Sequence, residues 1–422
     1  MRPSPLGEAA GEISVPEESE ITEPWTPPHA VTARVKTEPP PPTDLLPSVE
    51  DESGPWKGIG ATVLGASHRR SGKPNQDSFR LKPHMTSAGL AACVSDGHGG
   101  RRYFRSHHGS AFAAQAALYV LDTLSGEDIA RIENREGDGK LLMESLGPEI
   151  LKEWRRLVAE HIEQNPMTEL ETQFMVDSFG DAWSPESSFL EQKPTAYGAT
   201  LVLALATESG SLLVGQIGDG DIIIKSGRAP ARSVFARSEG PVSNETESLC
   251  QESAPHLLQS AFVFLNPNEA HLILLSTDGY SNSFTTFEDY TKVADDLTDL
   301  LADQQRSVIC QELPMWLHDT SRKGSGDDIT AVVMWRPSVR EQIWNTVSPG
   351  LDGDLTVSWI KRCEKFAYFE SGDGDEKLAA LLEYRQGRWT VLERGKDLAG
   401  EAFSERGLDN PLASDGAWSL VP

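Results

Sequence analysis

The chain has 422 residues, 38% of them hydrophobic and 24% charged, and its formal net charge is −26. This length is enough for two domains or for one large domain with extensions. The negative charge disfavours binding to nucleic acid or to an anionic membrane, because both need clustered lysine and arginine. No segment has the apolar length that crosses a bilayer, and residues 1–20 lack the features of a secretory signal. We therefore expect a cytoplasmic protein that binds neither nucleic acid nor membrane.

Residues 1–55 differ in composition from the rest of the chain. They contain 12 of the 27 prolines, and 11 acidic residues against 3 basic ones. Such a segment buries too little apolar surface to offset the entropy that it would lose on ordering. The sequence therefore predicts a disordered, acidic, proline-rich N-terminal segment over 1–55.

Apolar runs of strand length and stretches with helical spacing are grouped in blocks over residues 56–337. Strands are predicted over 59–66, 90–95, 198–207, 211–217, 221–225, 261–265, 271–276 and 329–335. Helices are predicted over 103–124, 140–165, 169–181, 287–301 and 307–319. Blocks of strands and blocks of helices favour an α+β fold over the regular alternation of a parallel sheet. We expect a four-layer α-β-β-α sandwich, in which two packed antiparallel β-sheets are flanked by helices.

Residues 338–422 form a C-terminal extension whose pattern of apolar and loop residues differs from that of residues 56–337. A strand is predicted over 355–369, and a hairpin over 378–392 that turns near 386–387. Either a small β-rich regulatory module or a packed extension fits this pattern. The four cysteines lie far apart without a CxxC spacing, so we expect reduced thiols and neither a zinc site nor a disulfide framework.

Five short segments place an aspartate next to a predicted strand, beside glycine or another residue that favours turns. They are NQD (75–77), DGHGG (96–100), GDGD (218–221), STDG (276–279) and GDDIT (326–330). A single Asp-Gly pair is usually a structural turn. Carboxylates gathered at strand ends, however, repel one another unless a cation neutralises them. Hard divalent cations prefer carboxylate, carbonyl and water oxygens, so the set of five predicts a Mg²⁺ or Mn²⁺ site.

The string VSDGHGG (94–100) resembles the signature of the protein phosphatase 2C-like (PPM) family. GASHRRSGKPNQD (65–77) resembles the opening motif of a bacterial branch of that family, and the segments around 217–221, 274–280 and 326–333 follow in the family's order. The similarity extends over about residues 58–335. It implies a binuclear Mn²⁺ or Mg²⁺ centre that activates water for hydrolysis of phosphoserine or phosphothreonine.

Carried over residue by residue, the resemblance implies four side-chain ligands, one carbonyl ligand, an auxiliary ligand for a third metal and a general acid. The side-chain ligands would be Asp77, Asp96, Asp278 and Asp327, and the carbonyl ligand would be Gly97. Asp219 would help to bind the third metal, and His98 would be the general acid. A histidine suits the last role because its pKa lies near neutrality.

Three positions depart from the family pattern. Gln76 stands where an acidic residue often precedes the first ligand, and Asp221 stands where many members have arginine. The phosphate-binding arginine has no certain counterpart, and Arg69, Arg70 and Lys73 are the candidates. His68, in the same loop, fits either a contact to phosphate or metal-bound water, or a structural hydrogen bond.

The predicted function is therefore that of a monomeric, metal-dependent protein serine/threonine phosphatase, acting on phosphoproteins made by a kinase of the same cell. One alternative is a catalytically weak or inactive PPM-fold protein that binds phosphoproteins or has a regulatory role. Another is a metal-dependent nuclease or nucleotide hydrolase, which the lack of a basic face and of a P-loop disfavours.

Overall fold

The computed structural model describes residues 45–84, 86–87, 89–133, 137–180, 193–236, 246–302 and 306–349. Beyond them it describes 357–363, 365–371, 378–385, 387–395, 398, 403, 408 and 419–420. Most of the predicted disordered segment, residues 1–44, lies outside the described residues. No described helix is long and apolar enough to span a bilayer.

Up to residue 336, the described strands all pair antiparallel and form two sheets. They are β1 (Val49–Ser53), β2 (Trp56–Val63), β3 (Ser78–Pro83), β4 (Leu90–Ser95), β5 (Leu201–Ala206), β6 (Ser211–Ile217), β7 (Asp221–Ser226), β8 (Arg232–Ser233), β9 (Gln259–Phe264), β10 (His271–Ser276) and β11 (Ile329–Arg336). The first sheet has the order β1-β2-β11-β10-β7-β8, and the second has the order β3-β4-β5-β6-β9.

Eight α-helices are described in the same part of the chain. They are α1 (Ala66–Ser71), α2 (Ser106–Thr123), α3 (Gly126–Glu133), α4 (Gly137–Gln164), α5 (Glu169–Phe179), α6 (Asp278–Ser281), α7 (Phe287–Ala302) and α8 (Arg306–Lys323). Helices α2 to α5 cover the second sheet, and α7 and α8 cover the first.

Alternate residues of the central strands belong to different cores. Leu272 and Leu274 of β10 face α7 and α8, whereas Ile273 and Leu275 face the second sheet. Because both faces of each strand are covered, the strands are apolar at nearly every position rather than at every second one. The predicted four-layer α-β-β-α sandwich is confirmed, and residues 45–336 are called the sandwich below.

The remaining described elements form the C-terminal module. They are α9 (Val339–Val347), β12 (Val357–Cys363), β13 (Phe366–Ser371), β14 (Leu378–Arg385), β15 (Arg388–Gly395) and β16 (Ser419–Leu420). The strands form one antiparallel sheet in the order β15-β14-β13-β12-β16, and α9 packs on one of its faces. The single predicted strand over 355–369 is in fact two strands, β12 and β13. Helix α9 begins with a capping box made by Ser338 and Glu341.

One element lies within the segment that the sequence assigns to disorder. Strand β1, with the polar sequence VEDES, pairs with β2 at the edge of the first sheet. The lower boundary of the folded region at residue 55 is therefore wrong by several residues. An edge strand gains its stability from backbone hydrogen bonds and needs no apolar pattern, so composition could not reveal it.

Candidate active site

The strand registers bring the predicted aspartates to one edge of the sandwich. Ser78 at the start of β3 pairs with Ser95 at the end of β4, so Asp77 and Asp96 lie on adjoining chain segments. In the first sheet Ser276 of β10 pairs with both Ala331 of β11 and Asp221 of β7. The segments that contain Asp219, Asp278 and Asp327 therefore reach the same edge.

Asp77 is buried, with only 8% of its surface exposed. Its Oδ2 accepts a hydrogen bond of 2.7 Å from the Thr277 hydroxyl, which ties the two sheets together. Its Oδ1 is buried and has no hydrogen-bond partner among the described residues. Burial and the charge of Asp328 raise the pKa of Asp77. A buried carboxylate oxygen without a donor is costly unless a proton or a cation binds it.

Asp96 and Asp278 contact each other across the gap between the two sheets. Burial and the neighbouring charges of Asp77 and Asp278 raise the pKa of Asp96. Burial, followed by the charge of Asp219, raises the pKa of Asp278 to about 6. The two carboxyl groups lie close enough to interact directly, so a proton or a cation is needed to relieve the repulsion between their charged forms. Such a pair has the electrostatic character of a cation site.

Asp327 and Asp219 form the exposed rim of this group. The Asp327 side chain is 51% exposed. Asp219 is also exposed, and its Oδ2 accepts a hydrogen bond of 3.0 Å from the Thr246 hydroxyl. These positions fit ligands that meet solvent, and Asp219, in the loop between β6 and β7, is near enough to Asp278 for its charge to raise the pKa of that carboxyl group.

Asp328 is a functional residue that the sequence prediction missed. It is buried, and its Oδ1 accepts a hydrogen bond of 2.6 Å from the Gly65 N–H. Its Oδ2 accepts from the Gln76 N–H at 2.7 Å and contacts His68 Nδ1 at 2.9 Å. With both oxygens already used, Asp328 holds the loop before β3 in place rather than binding metal. The doubled aspartate at 327–328 was the only signal of it in the sequence.

His68 resolves the alternatives that the sequence leaves open. Its Nδ1 contacts Asp328, and its Nε2 lies 3.7 Å from Oδ1 of Asp327. The hydrogen bond to Asp328 raises the pKa of His68. His68, Asp327 and Asp328 together could also hold a cation. The saturated oxygens of Asp328 instead favour the structural hydrogen bond for His68.

Gln76 takes the place of the expected acidic residue and organises the backbone. Its carbonyl accepts from the Gly97 N–H at 3.0 Å and from the Ser110 hydroxyl at 2.6 Å. Its side-chain Nε2 donates to the His98 carbonyl at 3.1 Å. A Cβ at Gly97 would lie 2.6 Å from the Ser106 carbonyl oxygen. Only glycine therefore fits between these two chain segments.

His98 lies in the acidic group, with its ring against Tyr103 at a centroid distance of 4.8 Å. Its backbone N–H donates to the Gly198 carbonyl at 3.1 Å. A Cβ at Gly198 would approach the His98 ring to 2.9 Å. Gly198, which lies just before β5, therefore leaves room for the His98 ring because it has no side chain.

A cavity of about 180 Å³ collects most of these side chains and is called the acidic pocket below. Its lining consists of His68, Gln76, Asp96, Gly97, His98, Gly99, Thr200, Asp219, Thr246, Asp278 and Asp327. A groove of about 470 Å³ adjoins it and shares Asp219 and Asp278.

The three basic candidates lie outside this lining. Arg69 and Arg70 are exposed on the short helix α1, and the Lys73 amino group donates to the Gly99 carbonyl at 3.1 Å. Lys73 therefore contacts a residue of the lining. Which of the three binds phosphate stays a prediction.

The residues present fit a divalent-cation centre. Every candidate ligand offers oxygen, the donor that Mg²⁺ and Mn²⁺ prefer. Like charges are held together against their repulsion, and a buried oxygen of Asp77 has no donor among the described residues. Cations would relieve both costs.

A family model described as Protein phosphatase 2C matches residues 64–318, which is more than half of the chain. The chain belongs to the protein phosphatase 2C family. All the predicted ligands of this family member except Asp327 fall within the matched range. No curated protein matches the sequence.

Among solved structures, the chain is similar to the serine/threonine phosphatase PstP/Ppp of Mycobacterium tuberculosis. The identity is 16%, the coverage is 67% of this chain and 99% of that chain, and the TM-score is 0.39. A second is PppA of Pseudomonas aeruginosa, a regulatory component of the type VI secretion system, with 17% identity, coverage of 67% and 98%, and a TM-score of 0.37. A third is the SpoIIE phosphatase domain of Bacillus subtilis with a fragment of its regulatory domain, with 16% identity, coverage of 67% and 64%, and a TM-score of 0.35.

Proposed function

We propose that this protein hydrolyses phosphoserine and phosphothreonine in other proteins, using water activated by two Mn²⁺ or Mg²⁺ ions. The observation that carries the proposal is the convergence of Asp77, Asp96 and Asp278, whose burial, together with the charges of neighbouring aspartates, raises their pKa values. Membership of the protein phosphatase 2C family supports it.

The proposed ligands are Asp77, Asp96, Asp278, Asp327 and the carbonyl of Gly97, with Asp219 as the ligand of a third, weaker site. When bound, such cations neutralise the carboxylates, polarise phosphate oxygens and lower the pKa of water. Phosphoryl transfer needs this positioning and charge neutralisation more than covalent chemistry.

The protein's own residues supply position and a proton. Thr277 and Asn282 hold one oxygen each of Asp77 and Asp278, at 2.7 and 2.9 Å. His98 lines the pocket and, in its protonated form, would give its proton to the departing seryl or threonyl oxygen. The adjoining groove would receive the peptide on either side of the phosphorylated residue, because it opens directly onto Asp219 and Asp278.

The test compares hydrolysis of p-nitrophenyl phosphate and of a phosphothreonine peptide with Mn²⁺, Mg²⁺ or EDTA. We expect activity with a metal, none with EDTA, and a loss of about 100-fold or more in Asp278→Asn, since that substitution removes a charge from the site. Asp299→Asn, an exposed aspartate of α7, is the matched control and should retain full activity. Activity that survives both EDTA and Asp278→Asn would refute the metal mechanism.

A non-catalytic, phosphoprotein-binding role is the competing reading. It predicts that the peptide binds with Mn²⁺ present but is not hydrolysed. The monomeric state, the cytoplasmic location and the kinase of the same cell stay predictions from the sequence.

A further inference from the structure

A second cavity, of about 630 Å³, lies where the sandwich meets the C-terminal module, and it shares no lining residue with the acidic pocket. Glu208 and Arg336 reach it from the sandwich, and Gln342, Arg362, Tyr384 and Trp389 reach it from the module. It is called the basic cavity below. Its volume lies within the range of roughly 300–1,000 Å³ that is usual for small-molecule sites.

The charge of this lining differs in sign from that of the whole chain. Arg336 and Arg362 are its cations, and Glu208 is its one carboxylate among the described lining residues. The described lining thus contains two guanidinium groups and one carboxylate, in a protein whose formal net charge is −26. Guanidinium groups in a low-dielectric recess attract anions more strongly than they would on the surface.

Two residues of the lining that are more than nine-tenths buried each have a donor with no acceptor among the described residues. Arg336 is 5% exposed, and its Nη1 donates to the Glu208 carbonyl at 2.7 Å, but its Nε has no partner. Trp389 is 6% exposed, and its indole Nε1 also has no partner. A buried donor without an acceptor is costly, and a guanidinium more so than a neutral group.

Neighbouring side chains hold these donors in fixed positions. The Arg362 guanidinium lies 5.8 Å from the centre of the Trp389 ring, and its Nη1 lies 3.4 Å from Oδ1 of Asn268 in the sandwich. The Tyr384 ring packs against Trp389 at a centroid distance of 5.1 Å. The site is thus organised before any ligand arrives, which lowers the entropy lost on binding.

We propose that the basic cavity binds a small organic anion, whose carboxylate or phosphate-type group accepts hydrogen bonds from Arg336 and Trp389. An apolar body on the ligand would lie against Ile129, Pro267 and Val339, which also line the cavity. The site is separate from the acidic pocket, so the inference stands whether or not the proposed phosphatase activity is correct.

The test observes the indole N–H of Trp389 by ¹H–¹⁵N NMR on the full chain labelled at its 10 tryptophans. The Trp389→Phe variant identifies the resonance. The probes are benzoate as the carboxylate, benzylphosphonate as the phosphate-type group that cannot be hydrolysed, and benzamide as the neutral analogue, all on protein that has been dialysed free of metal and of chelator. We expect a saturable shift with at least one anion and none with benzamide, and the preferred anion distinguishes the two chemistries.

Variants test the role of the arginines. Arg336→Met should abolish the shift, and Arg362→Gln should weaken binding by about tenfold, because it removes one of the two cations of the lining. If Arg336→Met does not fold, Arg362→Gln decides, because Arg362 is only partly buried. Three results would overturn the proposal: no saturable shift up to about 10 mM of either anion, a range that includes weak binding; an equal shift with benzamide; or unchanged affinity in Arg362→Gln.

Discussion

The acidic pocket and the basic cavity are both places where folding buries charge of one sign, but the chain builds them differently. In the acidic pocket the aspartates follow or precede strands that end at one sheet edge, and each stands beside a glycine or a turn residue. In the basic cavity the arginines lie within strands, Arg336 at the end of β11 and Arg362 inside β12. Short sequence motifs supply the residues of the acidic pocket. The basic cavity, in contrast, forms only where the C-terminal module meets the sandwich.

In both places burial disfavours the charged form of the side chain, so it shifts the pKa of an acid and the pKa of a base in opposite directions. It raises the pKa of Asp278 to about 6, and it lowers the pKa of Arg336 to about 10. Near neutral pH the carboxyl group can therefore avoid part of the cost by binding a proton, while the guanidinium keeps its charge. A cation stabilises the first site and an anion the second. Substitutions made in one site at a time should show whether the two sites are independent.

The largest expected effect is in the acidic pocket. Gly97→Ala should reduce phosphatase activity by about 100-fold or more, because a methyl group there displaces the Ser106 and Gln76 carbonyls and with them the ligands. Gly99→Ala is the matched control, since its Cβ would meet nothing nearer than 3.7 Å. The measurement is kcat/KM on p-nitrophenyl phosphate with Mn²⁺, together with a thermal unfolding curve. Near-equal activities of the two variants would contradict the assigned role of Gly97.

The next effect is on the junction beside the basic cavity. Gly387, with φ of 79°, lies in the turn between β14 and β15, and its Cβ would come within 2.4 Å of Gly54 Cα in the sandwich. Gly387→Ala should destabilise the protein by about 1–3 kcal/mol, from backbone strain plus this clash. Urea unfolding provides the measurement.

The control for that variant is Gly72→Ala. Gly72 has φ of 68° but nothing within 4 Å of its Cβ, so it has the strain without the clash. Equal losses in the two variants would mean that the hairpin of β14 and β15 does not contact the sandwich closely. A larger loss in Gly387→Ala, with benzoate affinity reduced in parallel, would sharpen the distinction between the two sites.

The smallest effect is a pH dependence of the metal-free protein. The folded pKa of Asp278, about 6, is above the ordinary value of 3.8 for an aspartate side chain. Between those values the folded state binds the proton more tightly than the unfolded state, so this residue's contribution to stability falls as pH rises from about 4 to 6. With EDTA, the melting temperature of Asp278→Asn relative to wild type should therefore rise over that window and then level off. A difference that does not vary with pH would show that Asp278 lies outside the repulsive cluster.

Much of the fold and the aspartates at the centre of the site could be predicted from the sequence. The physical reasons for this also explain why other residues could not be predicted. Doubly covered strands such as β4 and β10 are continuous apolar runs, which are visible in composition. The residues that position the ligands act through partners far along the chain. Asp328 holds Gly65 and Gln76, which are 263 and 252 residues away, and no local pattern records such pairs. Arg336 likewise lies one residue beyond the strand predicted over 329–335, and no sequence pattern marks it as a site residue.

Strand β11 extends from Ile329, two residues after Asp327, to Arg336. At about 3.4 Å per residue, its ends are about 24 Å apart. A small molecule in the basic cavity would therefore lie too far from a phosphate group in the acidic pocket to touch it or to compete with it for space. Any inhibition or activation by such a ligand should appear in kcat without the competitive pattern that inorganic phosphate, as the product, would produce. Kinetic competition experiments can thus assign an effector to one end of this strand or to the other.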